Sequence, residues 1–494
     1  MSPTRGFMKH WFAIEAIPLY AIIGFAMGGG AWYLTRLARG PNVVWTNNNR
    51  EPWNTIKPDQ STKLINVNDK LEKSAFRLDM VIPLDSPQPT FVIPPSANIL
   101  DTLEEIPEEG LSLTVTGAFR LPALIFGGGS FSHQYNNDSH LESLIPLRTV
   151  RTALRYGITA FDTSAYYGPS EIVLGTVLKG LEPEFPRSSY QLMTKCGRYG
   201  ADREAFDYSP KTIRRSVERS LARLNTNYLD VVYLHDIEFV AEEIMPKRTG
   251  DHVSALDADS KLYGLAEGQE ANIWGDGDQR VLDAYTELRK MKSEGLIKYI
   301  GITGMFCYPL PTLLRIALLI LHIPPFEAVD ILLSYSHSNL QNSAFHAFIA
   351  PLRARAHIAQ LVVASPLNMG LLTPCIPAWH PAPAPLRAAV GAAVDACAAA
   401  GWPGGLPDVA LGYAMRKVNQ FGIRAQDEHE AAEDVPVLVG LSVPEEVHKS
   451  VKIWREVRQN MDLSKRQEIE QKVINIFNES GYLGWSWASP TVKP

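Results

Sequence analysis

From Leu121 onward the chain alternates short apolar or β-branched runs with longer stretches in which apolar residues recur every three or four positions. Runs of the first kind suit strands buried on both faces, and the second pattern suits a helix with one apolar stripe. Strands are predicted at Leu124–Phe126, Thr159–Asp162, Gln191–Thr194, Val231–Leu234, Tyr299–Ile302, Val329–Leu333, Leu361–Ala364 and Val437–Val439. Helices are predicted between and after them at Leu144–Tyr156, Glu171–Leu178, Pro210–Leu224, Gln279–Glu294, Leu310–Leu321, Ala344–Arg355, Leu386–Ala400 and Glu445–Arg458. Eight strand-then-helix units predict an α/β fold, a closed (β/α)8 TIM barrel. A doubly wound open sheet has the same local signature and is the alternative.

The N-terminal part follows another pattern. Ala16 to Leu34 carries no charge over 19 residues, close to the ~20 a helix needs to cross a bilayer. Trp11 and Tyr20 lie toward one end and Trp32 and Tyr33 at the other, where amphipathic rings favour the headgroup level, and Arg36 and Arg39 stop the run. A single transmembrane helix is therefore expected. A secretory signal fits less well, because the apolar stretch is too long. Between Glu72 and Glu109, clustered prolines and acidic residues without sustained period read as connecting chain. The expected domains are a membrane-anchor segment 1–70, a linker 71–111 and a barrel 112–494. That barrel stretch exceeds the ~250 residues of a typical barrel. The excess falls at Glu238–Asp278 and Thr373–Pro385, each after a predicted strand, where a lid over the site would sit.

Composition narrows the partners. Lys and Arg number 47 against 53 Asp and Glu, a formal charge of -6, which offers no field for nucleic acid. Four widely spaced cysteines signal neither a metal site nor a disulfide framework.

Barrel enzymes keep their chemistry at the C-terminal ends of the strands. Here the second strand ends in Phe161-Asp-Thr-Ser-Ala-Tyr-Tyr-Gly168, the third in Met193-Thr-Lys-Cys196, the fourth in Val232-Tyr-Leu-His-Asp236 and the fifth in Ile300-Gly-Ile-Thr-Gly304. Asp162, Tyr167, Lys195 and His235 would face one mouth. Singly, each reads as a rim charge or a packing residue; together they form a proton-handling set. A phenol ordinarily titrates near ~10, and an adjacent ammonium favours its anion. Lys195 is expected to supply that cation with Asp162 as its counter-ion, and His235 to hydrogen-bond the reacting oxygen.

Those motifs, with Ser170-Glu171 and Leu174-Gly175 following the second strand, resemble the aldo-keto reductase family over residues 120 to 460. The resemblance implies a (β/α)8 barrel carrying NAD(P), with Tyr167 rather than Tyr166 as general acid/base, Lys195 and Asp162 tuning it and His235 orienting the substrate. Ser365-Pro-Leu-Asn-Met-Gly-Leu-Leu372 resembles the family's pyrophosphate loop, which makes Ser365, Leu367 and Gly370 cofactor-binding candidates. Val439-Gly-Leu-Ser-Val-Pro-Glu-Glu-Val447 resembles its adenosine-phosphate segment and adds Gly440, Ser442 and Glu446. Glu446 in place of a basic residue implies NAD, with NADP the alternative, because a carboxylate repels a 2'-phosphate. Thr303-Gly304 departs from the Ser-Asn that holds the carboxamide in many members, although Thr303 keeps a hydroxyl; Tyr335 and Asn339 are further candidates near the ring. No metal is implied. Within the family the sequence is most similar to sugar dehydrogenases of the D-arabinose and L-galactose type, which implies a small sugar as substrate, oxidised at C1 to the lactone.

A second resemblance covers residues 8 to 70. Tyr33-Leu-Thr-Arg-Leu-Ala-Arg-Gly-Pro-Asn-Val-Val-Trp45 and Glu51-Pro-Trp-Asn54 are similar to the small single-span respiratory-chain subunits of the MLRQ family. This implies a mitochondrial inner-membrane address and contact with a respiratory complex; the barrel alone would be cytoplasmic. Two alternatives to the enzyme reading stay open: an accessory membrane subunit carrying a passenger barrel, and an idle barrel used for binding.

Overall fold

The computed structural model describes residues 22–24, 26–31, 34, 99–305, 309–416, 434–459 and 462–487. The chain divides into two compact units, Met1–Leu78 and Asp79–Pro494. In the first, the described residues are helical and exposed. Among the described residues no helix is long and apolar enough to cross a membrane. Nine of the 19 residues of the Ala16–Leu34 run expected to do so lie outside them.

In the second unit a short antiparallel hairpin, β1 (Val115–Thr116) and β2 (Leu121–Pro122), precedes eight parallel strands: β3 (Leu124–Gly127), β4 (Ala160–Asp162), β5 (Gln191–Cys196), β6 (Leu229–Leu234), β7 (Ile297–Gly304), β8 (Ile331–Tyr335), β9 (Gln360–Ala364) and β10 (Val437–Gly440). They follow one another around a closed barrel, and β10 pairs in parallel with both β9 and β3. That closure excludes the open sheet. The helices are α1 (Ile145–Arg155), α2 (Ser170–Gly180), α3 (Pro210–Arg223), α4 (Asp276–Ser293), α5 (Pro309–His322), α6 (Phe345–Ala354), α7 (Ala384–Ala399), α8 (Gly405–Ala414), α9 (Pro444–Gln459) and α10 (Ser464–Glu479). Helix α1 forms because Leu147, Val150, Ala153 and Leu154 make one buried stripe at helical spacing, with Pro146 in the first turn, where its missing N–H costs nothing.

Strand residues alternate between two cores. Ile125, Ala160, Met193, Val231, Tyr233, Ile331, Leu333 and Val362 share the barrel interior. Their neighbours, such as Phe126, Phe161, Leu192 and Val232, join the larger core that includes the surrounding helices. Gly301 makes room inside, since a Cβ there would lie 2.3 Å from the Tyr233 ring. Phe119, in the β1–β2 turn, stacks on Tyr299 with ring centres 3.7 Å apart and adds to this interior core.

The stretch from Ile99 to Leu111, read from its sequence as linker, is docked on the barrel. Buried Glu105 accepts from Arg151 Nε at 2.8 Å and pairs with Arg148, both on α1. Arg455 on α9 donates to the carbonyls of Glu108 and Leu111 at 3.0 and 2.9 Å. The acidic, proline-rich composition that resembles a spacer here supplies the counter-charge for arginines on a helix face. The insertion after β6 folds into short turns at Val253–Leu256 and Ser260–Tyr263, and Gly250 within it pairs with Ser486 of the C-terminal tail.

Candidate active site

The strand period of two that lines the barrel with apolar side chains also delivers the polar ones. Counting inward positions toward the C-terminal end, Ala160 is followed by Asp162, Met193 by Lys195, Tyr233 by His235, Gly301 by Thr303 and Leu333 by Tyr335. The apolar layer thus ends in a polar one at the mouth. A cavity of about 310 Å³ opens there. Twelve of the thirteen residues singled out for catalysis or cofactor binding line it: Asp162, Tyr167, Lys195, His235, Thr303, Tyr335, Ser365, Leu367, Gly370, Gly440, Ser442 and Glu446.

Lys195 Nζ donates to Asp162 Oδ1 and, at 2.9 Å, to the Thr163 carbonyl. The two charged side chains are only 3% and 2% exposed. Burial pushes the Asp162 carboxyl up from its ordinary value, opposed by Lys195. The lysine amine lies 4.8 Å from the centre of the Tyr167 ring, and among the described residues no hydrogen bond joins it to the Tyr167 hydroxyl.

This corrects the expected tuning. The Tyr167 phenol is held well above 10, by burial first and then by Asp162, Tyr335 and Asp236, with Arg198 as the opposing cation. Asp162 is the hydrogen-bonded partner of Lys195, and at the phenol the same carboxylate acts against a cation's pull. Burial thus outweighs the cations around the Tyr167 ring.

His235 is buried, with Nδ1 3.0 Å from Ser164 Oγ and Nε2 3.5 Å from Asp236 Oδ2. The rings of Tyr166 and Tyr167 meet it edge-on, each at 5.9 Å. Burial, then Lys195 and Arg198, push its pKa well below 6.5. It is therefore a neutral imidazole, able to donate from one nitrogen and accept at the other.

Sequence reasoning missed three groups here, Arg198, Asp236 and Tyr135, whereas Tyr335 was among its candidates and lines the cavity. Arg198, two residues beyond β5, stacks over Tyr166 at 4.0 Å and pairs with Asp236, the residue after His235. Tyr135 and Tyr335 are linked through their hydroxyls, Tyr335 also to Ser365, and both line the cavity. Asp236 stood in the quoted motif; Arg198 carried no signal beyond its nearness to a strand end. Asn339 is a correction in the other direction. Its Oδ1 accepts from the N–H groups of Gln341 and Asn342, both at 3.0 Å, and its Nδ2 donates to the Ser336 carbonyl at 2.9 Å. It fastens the turn after β8 and does not line the cavity.

The other side of the cavity is shaped by backbone. Ser365, Asn368, Met369 and Gly370 all have positive φ, and the Met369 N–H donates to Ser365 Oγ at 2.8 Å. Gly370, at φ +82°, suits a conformation that side chains resist. After β10 the chain enters α9, where the Ser442 N–H donates to Glu446 Oε2 at 2.6 Å. A carboxylate that caps a helix start in this way is favoured by the helix dipole. Ser442 is further fixed by Asn136 Nδ2 on its hydroxyl at 3.0 Å. Thr303 donates to Asp236 Oδ1 at 3.2 Å.

These features fit a nicotinamide dinucleotide. The cavity reaches from the orphaned Asp162 Oδ2 and the acid–base groups to Gly440, Ser442 and Glu446 at the start of α9, and the space beside Gly440 is open where a Cβ would be.

A closed parallel barrel with an acid–base cluster inside its C-terminal mouth defines a barrel enzyme. Residues 123–471 match the Aldo/keto reductase family, and the chain belongs to it. It is 33% identical over 373 residues to D-arabinose 1-dehydrogenase of Saccharomyces cerevisiae, covering 74% of this chain and 94% of that protein. To L-galactose dehydrogenase of Arabidopsis thaliana it is 35% identical over 330 residues, 65% of this chain and 82% of that one. The barrel is thus an oxidoreductase of a family that uses NAD(P). Residues 11–62 match the NADH-ubiquinone reductase complex 1 MLRQ subunit. Over 61 residues the chain is 44% identical to cytochrome c oxidase subunit NDUFA4 of Macaca mulatta, 12% of this chain and 75% of that one.

Proposed function

We propose that the barrel is an NAD-linked sugar dehydrogenase that oxidises an aldose, D-arabinose or a close relative, at C1 of its ring form to the aldonolactone. The observation that carries this reading is the meeting of Tyr167, His235 and the Asp162–Lys195 pair in one cavity. The names of the two sugar-dehydrogenase relatives support the substrate class. NAD, when bound, supplies the acceptor for the hydride leaving C1. The chain handles the proton: Tyr167, after losing its own proton to solvent, takes as phenolate the proton of the anomeric hydroxyl while the C1–O double bond forms and the hydride leaves C1, and neutral His235 hydrogen-bonds that oxygen. Lys195 and Asp162 fix the ring's surroundings. Because the phenol is held high, oxidation gains as pH rises and carbonyl reduction is served at neutral pH.

NAD is favoured over NADP because Glu446 occupies the Ser442 N–H and puts a negative charge where a 2'-phosphate would need a cation. The test is NAD reduction by the full-length protein across aldoses. D-arabinose should be turned over with NAD in preference to NADP, and failure with every aldose would refute the reading.

The match of residues 11–62 favours a second function for the N-terminal part. In this reading residues 1–70 form a single-span anchor in the mitochondrial inner membrane with contact to a respiratory complex, residues 71–111 connect it and residues 112–494 form the enzyme. The protein should stay with mitochondrial membranes through alkaline carbonate extraction; release into the supernatant would contradict the anchor.

A further inference from the structure

The cavity holds a second buried ion pair that the proton transfer does not use. Arg198 and Asp236 both line it, and their side chains are 4% and 3% exposed. Burying two charges costs more than their attraction commonly returns, and apolar residues of similar size would pack at least as stably. The pair is also held rigid. The guanidinium lies over Tyr166 at 4.0 Å and faces Phe206 and Phe239, each at 5.4 Å, while Nε donates to the Gly200 carbonyl at 3.0 Å. Asp236 adopts a left-handed backbone, φ +53°, uncommon for a residue with a side chain. Thr303 Oγ1 spans it, accepting from its N–H and donating to its Oδ1, both at 3.2 Å.

Hydrogen-bonding capacity is left over on both partners. Arg198 uses Nε on Gly200 and Nη1 on Asp236 and Met305, and among the described residues Nη2 makes no hydrogen bond. A carboxylate offers about four acceptor directions, and Asp236 fills two with Arg198 and Thr303. Spare acceptors beside a spare donor suit a neutral group that both donates and accepts, which is a hydroxyl. The position selects which one. Asp236 Oδ2 is 3.5 Å from His235 Nε2, so a ligand whose C1 oxygen is bound to His235 sets its neighbouring substituent against the pair.

We propose that Arg198 and Asp236 are the specificity-determining pair of the substrate site, recognising the hydroxyl on the carbon next to the one oxidised. This rests on the sugar-dehydrogenase reading. It names vicinal diols as the preferred substrate class and makes 2-deoxy sugars poor substrates.

The test compares kcat/KM for D-arabinose and 2-deoxy-D-ribose, its 2-deoxy analogue, with NAD and the full-length protein. Wild type should prefer D-arabinose by at least about tenfold, the scale for a site whose buried polar groups lose their partner. Asp236→Asn and Arg198→Lys should each collapse that preference to within about twofold of unity, through a larger fall for D-arabinose. The ratio does not depend on how much of a variant preparation is active. If both sugars lose the same factor in both variants, the pair only positions His235 and the proposal is overturned; a wild type with no preference overturns it too. A wild type that oxidises neither these sugars nor any other aldose instead refutes the parent reading, and this proposal with it.

Discussion

On the β4–β6 side of the cavity the chemistry rests on charged side chains 33 and 38 residues apart, Asp162 with Lys195 and Arg198 with Asp236, all nearly sealed from solvent. On the β9–β10 side it rests on backbone, with positive φ at Ser365 and from Asn368 to Gly370 and a helix start capped by Glu446. The first side pays desolvation to hold fixed charges where a proton moves. The second costs little, since N–H groups and a capping carboxylate are satisfied near solvent. The β4–β6 side should therefore be intolerant of substitution, and the β9–β10 side open to changes of specificity.

Asp162→Asn tests the costly side. Breaking a buried pair should destabilise the fold by about 3–5 kcal/mol and lower kcat at least about 100-fold, read by denaturant unfolding and steady-state kinetics; a change under about 1 kcal/mol would place the pair in solvent. Glu446→Arg tests the other side. The kcat/KM ratio of NADP to NAD should rise about tenfold or more, the worth of one new charge-assisted contact, while loss of the cap costs only about 1 kcal/mol. An unchanged ratio would separate Glu446 from nucleotide choice.

The pH profile sharpens the comparison. With the phenol held well above 10, its anion grows about tenfold per pH unit below the pKa. Aldose oxidation should then climb steadily between about pH 7 and 9. His235 is held neutral by burial, so no step should appear near 6.5, and one there would show the imidazole to be solvated. The smallest effect lies away from the mouth. Buried Glu470 pairs with Arg416 at 2.9 Å, and burial lifts its carboxyl from 4.5 to about 7. The native state keeps this proton where the unfolded chain has lost it, so stability should rise as pH falls from 7 toward 4.5. Glu470→Gln should flatten that slope by on the order of 1 kcal/mol per pH unit, measured as stability against pH.

Much of the barrel was legible because its strands are buried on both faces and therefore read as apolar runs. All eight lie within a few residues of where the pattern puts them, the largest drift being β8, which begins at Ile331 and runs on through Ser334 and Tyr335. Polar residues that continue a ladder leave no hydrophobic mark. The two-residue strands of the β1–β2 hairpin are too short for periodicity to register. One helix was expected between Leu361–Ala364 and Val437–Val439, whereas the described residues there hold two, because Gly401, Gly404 and Gly405 interrupt the pattern.

At the site, the inward parity of Asp162, Lys195 and His235 could be counted from the strands. The partnership of Arg198 with Asp236 could not, since only folding brings β5 and β6 side by side. Asn339 was misread because an asparagine that fastens a turn and one that holds an amide look alike in sequence. How far burial raises the Tyr167 phenol was not legible either, because the chain names a nearby cation without revealing how completely the ring is sealed.

The most direct measurement is NAD reduction with D-arabinose by Tyr167→Phe beside wild type, with nucleotide binding followed by protein fluorescence. Removing one hydroxyl should lower kcat by about 100- to 10,000-fold while the nucleotide Kd stays within about twofold. Turnover within tenfold of wild type would contradict a proton passing through that phenol.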